Sequence, residues 1–144
     1  MIARVVLLAL LWISGGANAA DIPLNPAVTQ ETIAATICVR GYATSVRPKL
    51  YLSRKVKHQL MDAAGLPWVR RFEFELDHKQ PLTLGGAPLE LENFELQPWP
   101  EALVKDGLER RLNRLVCRGV MSLPEAQACI WNDWRACAET LKGN

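Results

Sequence analysis

The chain has 144 residues, 49% of them apolar, and its 17 Lys+Arg against 15 Asp+Glu leave a formal net charge of +2. So small a charge excludes any argument about partners from the field of the whole molecule, and it turns attention to how the charges are distributed. The length suits one domain with a modest core.

Arg4 precedes the apolar run "VVLLALLWI", which leads into "SGGANA" with Ala17 and Ala19 in an A-x-A arrangement. This layout predicts a secretory signal peptide over 1–19, cleaved after Ala19 or Ala20, and a single mature domain over 20–144. The run is too short to span a bilayer, and no second long one follows. The mature protein is therefore expected outside the cytoplasm, periplasmic or secreted, with no membrane association once the leader is gone.

"DIPLNPAVTQ" is a Pro-containing entry segment, followed by a helical turn over 29–35. "TICVRGYATSVRP" reads as strand or extended chain with a turn at Gly41. Ser53 is an expected N-cap for a helix through "RKVKHQLMDAA", with Val56, Leu60 and Ala64 as its apolar stripe and Gly65 and Pro67 as its stop. The alternation of Phe72, Phe74 and Leu76 predicts a strand over 72–78 with one buried face. It ends in Asp77-His78. Gly85-Gly86 then supplies a reversal inside a long loop, and "ENFELQ" is a short second strand.

A helix is expected from near Pro100 to Gly119, burying Leu108, Leu112, Leu115 and Val116, with Arg111, Arg114 and Arg118 on another face. Ser122-x-x-Glu125 is a capping box opening a helix through Leu141, with Leu123, Ile130, Trp134, Cys137 and Leu141 inward.

The cysteines are Cys38, Cys117, Cys129 and Cys137, and in an oxidising compartment an even count favours disulfides, with three pairings possible. If 123–141 is one helix, Cys129 and Cys137 lie about 12 Å apart along its axis, beyond disulfide reach unless the helix breaks. A zinc site ranks low, since no close CxxC pair exists.

Between Arg40 and Arg71 there are eight basic residues, Arg47 and Lys55 among them, against the single acid Asp62. Arg110, Arg111, Arg114 and Arg118 form a second cluster. Each reads as a phosphate-contacting surface or as a solvated face, and charge alone does not choose.

The ordered set "ELDHKQPLTLGG", "LENFELQPW" and "KDGLERRL" resembles the HNH branch of the ββα-metal (His-Me finger) nucleases. With "TICVRGYATSVRP" before it and "RLVCRGVMSLPEAQACIWNDW" after it, the chain resembles more specifically a secreted bacterial HNH-like family over about Thr36 to Trp134. The resemblance implies an α+β fold: a small ββα-metal core with additional N- and C-terminal helices, stapled by a disulfide between Cys38 and Cys117. It implies His78 as general base and Asp77 and Asn93 at a divalent metal (Mg²⁺, Mn²⁺ or Zn²⁺); with nucleic acid, DNA foremost, as the ligand, the basic clusters offer Arg111, Arg114, Arg118, Arg47 and Lys55 as its contacts. The implied activity is phosphodiester hydrolysis with little sequence preference, since nothing resembles a base-reading helix.

Relatives carry a third metal-binding His shortly before "KD", where this chain has Leu103. That departure supports the alternative expectation of a catalytically silent scaffold that binds without cutting.

Overall fold

The computed structural model describes residues 22–143, so the expected leader lies outside the described residues. The helices are α1 (Tyr42–Val46), α2 (Leu50–Ala63), α3 (Trp99–Cys117) and α4 (Leu123–Lys142), and the strands are β1 (Phe74–His78) and β2 (Phe94–Pro98). The class is α+β, as expected. The strands pair antiparallel, with Asp77 opposite Glu95 and His78 opposite Phe94. The chain runs from β1 through a loop into β2 and then directly into α3, which lies against both strands.

Two departures precede the hairpin. The expected strand at 36–48 is instead a series of turns and α1. Its amides find partners locally, Cys38 N–H on Ile33 O, Val39 N–H on Thr36 O and Tyr42 N–H on Val39 O, so no strand partner is needed. The helix expected to start at Ser53 begins at Leu50. Lys49 is the extended N-cap, and the amides of Leu52 and Ser53 bond to its carbonyl, so Ser53 lies inside the first turn. Along α2 the buried side chain is Met61, while Val56 and Leu60 are half-buried and Ala64 is exposed.

β1 is shorter than its alternation suggested. Residues Trp68–Glu73 form a 3-10 turn, and Phe72 is 72% exposed rather than buried. Phe74, Leu76 and His78 keep the alternation along one face of β1.

The core lies where Leu108, Leu112 and Val116 of α3 meet Leu123, Ala126, Ile130, Cys137 and Leu141 of α4. Val28, Ile37 and Leu84 close it from the entry segment and the hairpin loop. The Ser122–Glu125 capping box opens α4 as read, and Gly119, at φ +69°, ends the turn after α3.

Both disulfides form, Cys38–Cys117 and Cys129–Cys137, and they fit an oxidising compartment. The second corrects the single straight helix expected over 123–141. Asp133 adopts extended backbone inside α4, and the bend brings the Cα atoms of Cys129 and Cys137 to 5.3 Å. Asp133 caps the resumed helix, its carboxylate accepting from Arg135 N and Ala136 N. Trp134 and Leu115, expected inward, are half-buried at the core's edge. Among the described residues no helix is long and apolar enough to cross a membrane.

The two staples close loops of very different length, with sequence separations of 79 and 8. Chain entropy then assigns about 4.5 kcal/mol to Cys38–Cys117 and about 2.5 kcal/mol to Cys129–Cys137. Guanidinium unfolding of the paired Ser variants should show the larger loss for C38S/C117S; equal losses would contradict this ranking.

Candidate active site

The loop from Lys79 to Asn93 decides where His78 can act. Asn93 is fully buried, and its Oδ1 accepts from Gln80 N at 2.8 Å. Its Nδ2 donates to Gln80 O at 3.0 Å and to Ala87 O at 2.8 Å, tying both limbs of the loop together. Gly86 sits in the same crossing, where any Cβ would run into the carbonyl of Gln80. Both polar atoms of the Asn93 amide, expected at a metal, are thus turned into loop backbone, where they serve as a brace.

The braced loop carries the carbonyl of Pro88 to 3.2 Å from His78 Nε2. A carbonyl only accepts, so Nε2 carries the hydrogen and the lone pair falls on Nδ1. Among the described residues nothing hydrogen-bonds Nδ1. The ring leans on Phe94, centroids 4.5 Å apart, and is 5% exposed. Burial pulls the imidazole below its ordinary pKa, opposed by the Pro88 contact and Asp77 and assisted by the Arg47 and Lys105 charges. His78 is thus held neutral in one tautomer, as a general base requires.

Asp77, next along the strand, points to the other side, toward α3. There it meets Lys105, whose Nζ donates to Asp77 Oδ2 at 2.5 Å, to His78 O at 2.7 Å and to Glu109 Oε1 at 3.1 Å. Glu95 Oε1 stands 3.9 Å away. Lys105 is 1% exposed, and all three of its protons are spent on these oxygens. Burial lowers the ammonium pKa, but the Glu109 and Asp77 carboxylates outweigh it and hold the group above its ordinary value. Burial pushes Glu109 up to about 7, against the pull of Lys105.

This arrangement bears on the expected metal. Asp77, Glu109 and the His78 carbonyl are hard oxygen donors of the kind a divalent ion takes. The point where they converge is filled by Lys105 Nζ, so the residues as arranged do not fit the ion. Among the described residues no group of three or more His, Cys, Asp and Glu could hold a metal. Leu103 is 64% exposed and outside the site, because two residues along a helix turn it away from the face that Lys105 presents.

The expected nucleic-acid contacts divide. Arg47 is exposed yet close enough for its charge to act on His78 and Glu75. Lys55 is exposed on α2, beside Tyr51 and Arg54. Arg114 and Arg118 lie about 14 Å and about 20 Å beyond Lys105 along α3, at ~1.5 Å per residue, and Arg111 lies on the way. These three are not gathered with His78.

Lys105 and Glu109 are the site residues that the sequence reading missed. Their signal was present: the buried stripe of α3 runs Ala102, Lys105, Leu108, Leu112, Val116, and a lysine within such a stripe needs an anionic partner. No family model, curated protein or solved structure matches this chain.

Lys105→Met leaves Asp77 and Glu109 buried without their counter-charge and should cost about 3–5 kcal/mol at pH 8. The deficit should narrow as pH falls from 8 toward 6. Burial raises the Glu109 carboxyl to about 7 against the pull of Lys105, so without the ammonium it protonates at a higher pH than in wild type, and the native variant gains stability before the wild type does. Denaturant melts of wild type and variant at pH 8 and pH 6 check both; a deficit that is absent, or that widens toward pH 6, contradicts the buried ion pair.

Proposed function

We propose that the protein is an exported HNH-type phosphodiester hydrolase acting on nucleic acid with little sequence preference. One observation carries this reading. A buried histidine at a hairpin end is fixed by the Pro88 carbonyl so that its Nδ1 lone pair is free, at a pKa lowered toward neutrality of the ring. The Pro88 bond fixes the ring, and the lone pair it leaves on Nδ1 is the group a general base uses. In the proposed step His78 Nδ1 takes a proton from water, the water oxygen attacks phosphorus, and the P–O bond to the leaving sugar oxygen breaks, that oxygen taking a proton from solvent. Arg47, whose charge reaches His78, offsets charge on the phosphate. The order hairpin strand, braced loop, strand, helix supports the same reading, since it is the ββα arrangement implied by the sequence resemblance.

A second reading has its own observation. Lys105 fills the convergence of Asp77 and Glu109 and has no proton left for a phosphate. A scaffold silenced in this way would bind nucleic acid without cutting it.

Purified mature protein should be incubated with supercoiled plasmid in chelator and, separately, in Mg²⁺, Mn²⁺ and Zn²⁺. The hydrolase reading expects nicking in at least one condition and loss of about 10²–10⁴-fold in rate for His78→Ala, with the melting temperature little changed. Cleavage at the wild-type rate by His78→Ala overturns the mechanism. Wild-type inactivity under every condition overturns the hydrolase and leaves the silent scaffold.

A further inference from the structure

Beside α2 lies a cleft of about 710 Å³, walled by the first turns of α2, the Trp68–Glu73 turn and Leu76 of β1. Its aromatic surfaces are Tyr51, 67% exposed, Phe72, 72% exposed, and the half-buried Trp68. Its charged lining residues are Arg54, Lys57 and Arg71, and no acid lines it. The nearest carboxylate along the turn, Glu73, is held by a bidentate pair with Arg70. The guanidinium of Arg71 lies 4.0 Å from the centroid of Phe72 and 5.3 Å from that of Trp68, and Arg54 lies 5.9 Å from Trp68.

We infer that this cleft binds single-stranded nucleic acid, stacking unpaired bases on Phe72 and Tyr51 while Arg54 and Arg71 take the phosphates and Lys57, its Nζ bonded to Phe74 O at 2.6 Å, adds positive charge. The inference rests on nucleic acid as the ligand in the proposed function, and it names the form taken. Charge and shape choose the occupant together. An all-cationic lining selects a polyanion, and flat exposed π-faces interleaved with arginines select a polyanion whose own flat faces are free. In a duplex those faces are already stacked on each other. The placement also suits the chemistry: Leu76 and His78 lie on one face of β1, about 7 Å apart, so the cleft leads toward the base.

Binding is read by fluorescence anisotropy in the His78→Ala background, in chelator, with a labelled oligothymidine and a duplex of equal length. The oligothymidine should bind at least about 10-fold more tightly than the duplex. Phe72→Ala and Tyr51→Ala should each weaken single-strand binding by about 5- to 100-fold, with unchanged melting temperatures because both side chains are exposed. Equal affinity for the two forms, no effect of either substitution, or competition only by apolar peptides would each overturn the inference. Single-strand binding without any cleavage by wild type would keep it while overturning the hydrolase. Cleavage with no single-strand preference would do the reverse.

Discussion

The buried ammonium of Lys105 is the contact through which the hairpin and the long helix become one body. It comes from α3, reaches across to Asp77 on β1, accepts a fourth neighbour in Glu95 on β2, and closes back on Glu109 one turn along its own helix. It also bonds the carbonyl of His78, so the backbone that carries the base is pinned from the α3 side. Such a group is costly to desolvate. It is tolerated because each of its protons finds an oxygen and two of those oxygens belong to the carboxyl groups of Asp77 and Glu109. The same saturation that makes it a good strut makes it a poor catalyst, since nothing remains to offer a substrate.

The imidazole of His78 is pinned from the opposite side by a different device. Asn93 draws the two limbs of the loop together, Gly86 lets them approach, and the loop presents the Pro88 carbonyl to Nε2. Strand alternation sends Asp77 and His78 to opposite faces, and β1 ends at His78. One carboxylate therefore serves the helix and one imidazole faces the loop. The aromatic and arginine-lined cleft then continues from the face of the strand that bears His78.

Local patterns made much of this legible. The capping box, Gly119, the hairpin order and the Asp77-His78 pair could all be read from neighbouring residues. What escaped depends on distant contacts. Phe72 sits in an alternating run and still stands out in solvent, because Trp68–Glu73 winds into a turn that lifts it off the strand with Arg71 against one face of its ring. The break at Asp133 was invisible to a periodicity that continues straight across it, whereas the Cys129–Cys137 bridge and Asp133's bonds to the following amides give it away. Asn93 was assigned by motif to a metal, whereas the geometry uses every polar atom of its amide on the loop. Lys105 stood in plain view on an apolar stripe, but its partners lie 28 residues upstream and 4 residues downstream.

The protonation state of His78 tests this account most directly. Long-range ¹H–¹⁵N correlation spectra separate the two imidazole nitrogens, and His58→Ala removes the only other histidine. The account predicts a neutral His78 ring at pH 7, protonated on Nε2 and bare on Nδ1, with its titration midpoint below the ordinary histidine value. An imidazolium at pH 7, or a neutral ring carrying its hydrogen on Nδ1, would contradict it.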